Sequence, residues 1–176
     1  MVQTYTGAGY RYAGASLAPV ATPTDVIVIK GSATKTVWVK RIKITGAATA
    51  AGTMPILAVR RSDAGTVGSA VLTGITGAKN DSGDATASAT VSTVGTANYT
   101  TVGTTAGNVA SDRLQMTALA TGVAAMPVVW EFAKHRTDRG IALRGILEFL
   151  CVNLAGAALP AGGVIDYEIE TEEVAA

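Results

Sequence analysis

Residues 164–171 read Val-Ile-Asp-Tyr-Glu-Ile-Glu-Thr. Ile165, Tyr167 and Ile169 fall on one parity, and Asp166, Glu168 and Glu170 on the other. That is the period of a β-strand with one face in a core and the other in water. The same period recurs upstream. Residues 36–45 (TVWVKRIKIT) put Trp38, Ile42 and Ile44 on one parity, with Lys40 between them, and Val37, Val39, Arg41 and Lys43 on the other. The apolar face is not clean, which marks Lys40–Arg41 as a candidate bulge. Residues 25–30 (DVIVIK) and 55–61 (PILAVRR) are further β-branched or apolar runs. Leu114, Met116 and Ala118 share a face, as do Val128, Trp130 and Phe132, and Ile141 and Leu143. Residues 146–154 (ILEFLCVNL) are apolar on both parities. They fit a central strand covered on both sides or a short buried helix, and Val152 with the flanking Gly145 and Gly156 favours the strand. No stretch has an amphipathic helical period of useful length. Roughly eight or nine strands at short spacing predict an all-β fold, an antiparallel β-sandwich of jelly-roll type.

The chain of 176 residues is long enough for one ordinary domain with a real core, and 48% of it is hydrophobic. Residues 1–24 carry Gly, Ala, Thr and Pro with Tyr5, Tyr10 and Tyr12, hold no sustained period, and are expected to be an extended N-terminal arm that either packs on its own domain or docks on a neighbouring subunit. Residues 25–172 are the expected single domain, with a Gly/Ala/Thr-rich loop region over 62–110 and a C-terminal tail over 173–176. Within 62–110, residues 87–94 (ASATVSTV) alternate weakly, and Asn80-Asp81-Ser82-Gly83-Asp84 is a turn cluster. The N-terminus has no basic region followed by an apolar run, so no signal peptide is expected. The uncharged stretches 114–130 and 149–165 are broken by Gly and Pro and fall short of the roughly 20 apolar residues of a spanning helix.

Charge is segregated along the chain. Residues 1–61 hold eight Lys or Arg and one acid, a net of +7, while residues 145–176 hold six acids and no base, a net of −6. Either a basic strand around residues 35–43 pairs with the acidic last strand inside the domain, or the two patches meet between subunits. The overall net charge of +1 argues against a surface built to grip nucleic acid.

Chemistry-bearing residues are few. His135 sits in a charged linker, Lys134-His135-Arg136-Thr137-Asp138-Arg139, and reads as an exposed loop residue. Cys151, in an apolar strand, reads as a buried inert thiol. Asp81 and Asp84 lack the further oxygen ligands of a calcium loop. Glu131 and Glu148 have no sequence support as a hydrolytic pair. There is no phosphate-binding glycine loop ahead of a helix. No enzyme activity, metal or cofactor is expected.

Arg144-Gly145-Ile146-Leu147-Glu148-Phe149-Leu150-Cys151-Val152-Asn153-Leu154 runs into a Gly156-Ala157-Ala158-Leu159-Pro160-Ala161-Gly162 turn and then the acidic strand. The run to Glu172, with residues 129–132 (VWEF) before it, resembles the terminal strands of small β-sandwich virion proteins of tailed bacteriophages. Coverage is about a quarter of the chain. The resemblance implies a virion structural protein, foremost a capsid decoration (cement) protein made in the host bacterial cytoplasm. It would sit on the capsid surface as a homo-oligomer, dimer or trimer, contacting the major capsid protein and copies of itself, with no nucleic acid or membrane partner. The interface residues expected on this reading are Tyr5, Tyr10 and Tyr12 of the arm, Lys40, Arg41, Lys43, Arg60 and Arg61 of the basic patch, and Glu168, Glu170 and Glu172 of the acidic strand. A tail or head-spike component and a carbohydrate-binding host-recognition module are the alternatives. Independently of the resemblance, Pro160 and the glycines after it suit a tight turn, Asn153 is placed to cap it, and a closed hairpin would set the acidic strand beside the central one.

Overall fold

The computed structural model describes residues 7–19, 25–67, 72–94, 97–118, 125–134 and 138–175. In chain order the strands are β1 (Ala8–Leu17), β2 (Asp25–Lys30), β3 (Lys35–Ala48), β4 (Gly52–Arg61), β5 (Leu72–Ile75), β6 (Ala78–Lys79), β7 (Thr90–Val94), β8 (Thr105–Ala118), β9 (Val128–Glu131), β10 (Ile141–Arg144), β11 (Phe149–Asn153) and β12 (Val164–Ala175). The fold is all-β, a mixed sheet curled into a half-barrel. One half runs β6-β1-β12-β3, and the other runs β5-β7-β2-β11-β4-β8. They join where the end of β8, antiparallel to β4 along most of its length, turns parallel to β3 at Ala47↔Thr117 and Ala48↔Ala118. That parallel joint corrects the expectation of a purely antiparallel sheet.

β3 organises its half. One edge pairs with β12 from Lys35↔Ala175 to Ala47↔Val164. The other edge is shared by β10 at residues 36–39, β9 at 41–44 and β8 at 47–48. The register against β12 slips between Glu170 and Thr171, where Arg41 and Val39 are the successive partners, so Lys40 is an extra residue. The bulge falls at the position marked in the sequence. It reverses the parity of the buried face. Val37 and Val39 face inward before it, and Ile42 and Ile44 after it. Trp38 is therefore on the outer face, not on the apolar face with Ile42 and Ile44. The Lys40 carbonyl accepts from the Phe132 and Ala133 amides at 2.8 and 3.2 Å, so the backbone at the bulge is paired on the β9 side.

The core lies on the inner faces of both halves. Ile165, Tyr167 and Ile169 of β12 enter it as the alternation requires, against Ile27 and Ile29 of β2, Ile56 of β4, Leu114 and Met116 of β8, and Leu150 and Val152 of β11. A second cluster (Val28, Val94, Tyr99, Phe149 and Cys151) covers the opposite face of β2 and β11. β11 is thus the doubly covered strand the sequence suggested, but it begins at Phe149. Ile146 and Leu147 lie in the turn before it and are exposed.

Four expectations change. The N-terminal arm is, over Ala8–Leu17, a strand hydrogen-bonded to β12, with Tyr10 and Tyr12 fully buried, so it packs on its own domain, and these two tyrosines are not free to dock on a neighbour. The 62–110 region contains β5, β6, β7 and the start of β8. Residues 173–175 of the expected tail are part of β12, which continues to Ala175 with Glu173 1% exposed. The Pro160 turn does not close a hairpin, because β11 pairs with β2 and β4 while β12 pairs with β3 and β1. It is a crossover between the halves, anchored where the Thr49 amide and hydroxyl donate to the Ala161 carbonyl at 2.9 and 2.6 Å.

An aromatic side chain buries about 150–250 Å², and at about 25 cal/mol/Å² each inward tyrosine of β1 contributes several kcal/mol as an upper bound. Total stability for a domain is about 5–15 kcal/mol. Deleting residues 1–17 is expected to abolish cooperative thermal unfolding, read by circular dichroism. A sharp transition in the truncated chain would show that β1 is dispensable.

Candidate interaction surface

The outer face of the first half carries the expected basic and acidic residues, and it brings them together within one chain. β12 lies between β1 and β3, so its acids are flanked by bases on both sides. Arg11 reaches Glu168 at 3.5 Å and Glu170 at 3.1 Å from one side. Arg41 reaches the same two carboxylates at 3.4 Å from the other, with Glu131 at 4.0 Å. Lys40, thrown outward by the bulge, meets Glu172 at 2.6 Å and donates to the Asp138 carbonyl at 2.9 Å. Lys43 stands opposite Glu168 in the register. The Arg11 and Arg41 pairs are partly exposed, so each is worth at most about 1 kcal/mol, whereas Glu172 of the Lys40 pair is buried. Of the two arrangements the charge pattern allowed, the structure contains the pairing inside the domain.

Several expected interface residues are not on this surface. Arg61 is buried and bidentate on buried Asp25, at 2.8 and 3.1 Å. Its Nη1 also donates to the Gly103 carbonyl at 3.1 Å and to the Thr105 hydroxyl. Asn153 Nδ2 donates to Asp25 at 2.7 Å, and Asn153 Oδ1 accepts from the Ala155 amide at 2.6 Å, capping the turn as expected. Burial works against the Arg61 charge, but the hydrogen bonds and charge of Asp25 outweigh it and hold the guanidinium pKa above its ordinary value. Burial, with the Asp25 charge adding, pushes the neighbouring Cys151 thiol well above its usual range, consistent with an inert sulfur. Arg60 pairs with Glu148 at 2.8 Å, and Glu148 also accepts from the Arg144 amide at 2.8 Å.

Tyr10 and Tyr12 are core residues, and Tyr5 and His135 lie outside the described residues. The Tyr10 hydroxyl donates to the Ala85 carbonyl at 2.8 Å. Burial, with the Glu173 charge adding, pushes Tyr12 from 10.0 up to about 12. Glu173 is a buried carboxylate the sequence reading missed. It accepts from the Ser88 amide and hydroxyl and the Ala89 amide, all at 2.7 Å, and pairs with Lys35 at 3.2 Å. Its parity, continuing Ile165, Tyr167 and Ile169, is the signal that could have found it.

Two features were not anticipated. The Arg139 and Arg144 guanidinium carbons sit 5.7 and 6.0 Å from the Trp38 ring centroid on the outer face. A groove of about 300 Å³ runs past the Lys40–Glu172 pair and is lined by Asp81, Asp84 and Glu170 among others. Asp81 is occupied locally, accepting from the Gly83 amide at 2.8 Å. Among the described residues no group of three or more His, Cys, Asp or Glu side chains is placed to hold a metal ion, and no helix is long and apolar enough to cross a membrane.

Comparison with protein families, with curated proteins and with solved structures finds no match to this chain.

Removing one partner of a buried ion pair strands the other charge and costs about 3–5 kcal/mol. Arg61→Met and Asp25→Asn should each lower stability by that order in urea unfolding, and the double variant Asp25→Leu/Arg61→Met should recover much of the loss. Strict additivity would mean the pair is not energetically coupled. The raised Tyr12 value makes a second test. Stability from keeping this hydroxyl protonated is whole below pH 10.0 and is lost as pH rises towards about 12, because the unfolded chain ionises first. Tyr12→Phe should move alkaline unfolding, followed by circular dichroism with phenolate absorbance, to higher pH. An unchanged midpoint would show that Tyr12 ionisation does not drive it.

Proposed function

We propose that the protein is a structural component of a tailed-bacteriophage virion, a capsid decoration (cement) protein. It is made in the host cytoplasm, and on the capsid surface it contacts the major capsid protein and copies of itself as a dimer or trimer. On this reading the two halves of the curled sheet are the facing sheets of a jelly-roll-like sandwich. The observation that carries the reading is the run from Arg144 to Glu172, on which the resemblance rests. Its residues hold the fold at successive joints: Glu148 to Arg60, Asn153 to Asp25, the residue after Pro160 to Thr49, and Glu172 to Lys40. A motif whose members act as ties suits a protein that works by adding fixed contact area. The part of the surface available for such contact excludes Tyr10, Tyr12 and Arg61, which the core has taken.

The sugar-binding alternative calls for solvent-facing aromatic platforms. Trp130 is buried, Phe132 packs against the core, and Trp38 lies under two guanidiniums. No observation favours it over the virion reading.

Quantitative mass spectrometry of purified particles, scaled to their major capsid protein, tests the proposal. A copy number in the hundreds per particle is the expected result. A few to a few dozen copies would move the protein to a tail, vertex or spike, and absence from particles would overturn the virion assignment.

A further inference from the structure

We propose that Trp38, Arg139 and Arg144 form a docking site for a short acidic segment of a partner protein, with the Ile146–Leu147 turn taking an apolar side chain beside the carboxylates. β10 lies antiparallel on β3 with Ala142 opposite Trp38 and Arg144 opposite Thr36. Ala142 is too small to cover the indole, and the guanidiniums of Arg139 and Arg144 occupy the space over it. Each cation–π contact at such a partly exposed site is weak. It fixes the position of a guanidinium while leaving N–H donors free for a carboxylate, which an arginine fork takes in bidentate fashion. Arg11, Lys40, Arg41, Arg60 and Arg61 each meet a carboxylate of this chain. Among the described residues Arg139 and Arg144 are in no ion pair. Lys43 is in no ion pair either, but among the described residues only at Trp38 are two such cations gathered on one ring.

The apolar part adjoins it. Gly145 has φ +86°, a left-handed turn that suits glycine, and the two residues after it are exposed, Ile146 at 50% and Leu147 at 64%. Glu148 holds this turn from below through the Arg144 amide and Arg60. Cationic and apolar parts are therefore adjacent and preformed, a pairing that fits a peptide carrying acidic and aliphatic residues. A nucleic acid fits less well, because the guanidiniums already lie over the indole, the ring on which a base would stack. The site rests on its own geometry and does not depend on the virion assignment.

The test is titration of the full chain with the capped peptide Asp-Leu-Glu-Leu, by calorimetry and by the Trp38 indole N–H resonance. Saturable binding that shifts this resonance is expected. The double variant Arg139→Gln/Arg144→Gln should weaken it roughly tenfold or more, Arg139→Lys/Arg144→Lys should restore only part, and Arg113→Gln, on β8, should leave it unchanged. Unfolding midpoints of all variants guard against a folding defect. No shift of the Trp38 resonance at millimolar peptide, or equal binding of the amide peptide Asn-Leu-Gln-Leu, would overturn the site. Tighter binding of an oligothymidylate or of phosphatidylglycerol vesicles would overturn the choice of partner. Particle copy number is read separately, so failure here and failure of the virion assignment are distinguishable.

Discussion

The rest of the structure depends on one extra residue. β3 serves β12 on one edge and β10, β9 and β8 in turn on the other. A regular strand with this sequence would send either its two valines or its two isoleucines to water, because side chains alternate strictly. Burial of each such side chain is worth about 1.5–3 kcal/mol, so the bulge at Lys40 is strongly favoured over a flat strand. It also separates the β9 and β10 segments on the far edge, since Arg41 pairs with Glu131 and Val39 with Ile141. The ammonium it pushes outward is held by Glu172 and the Asp138 carbonyl.

Charge then selects the neighbours of β12. Individually the partly exposed pairs that Arg11 and Arg41 make on the outer face are weak. Collectively they fit one arrangement, an acidic strand between two basic ones, and a slip of one residue would turn Glu168 and Glu170 into the core. The segregation of charge along the chain is in this sense a folding instruction. The strong electrostatic contributions lie elsewhere, at Asp25–Arg61 and at Glu173, where burial leaves little solvent screening and every polar atom needs a partner.

What was legible in the sequence follows the same physics. The alternation of β12, the irregularity at Lys40–Arg41 and the double apolar face around Cys151 each left a mark, because large side chains had to be buried on a stated side. β1 left almost none. Only Tyr10 and Tyr12 are fully buried among mostly small residues, too few to establish a period. β8 was hidden over its first nine residues because neither face is buried there, so small polar side chains suffice and Leu114 is the first that must be apolar. The hairpin expected at Pro160 failed for another reason, since turn chemistry fixes a change of direction and not the strand that receives it. As for the candidate site, the charged residues were visible but their partners were not. The Trp38–Arg139–Arg144 contact was beyond reach, because the bulge reverses the parity on which Trp38 was assigned.

The place of β12 also bears on how the chain reaches this state. β1 and β3 are synthesised early, yet they do not touch through their own edges, because the strand that fits between them is the last of the twelve to leave the ribosome. Until then each lacks the partner for the edge that β12 takes. Closing the sheet is a late insertion of one strand between two waiting ones, joining residues far apart in sequence. Such topology folds slowly and is exposed to edge-to-edge association meanwhile. The alternating acids on β12, and the lysines and arginines on the strands that await it, act during that interval as solubilising charges before they become each other's partners.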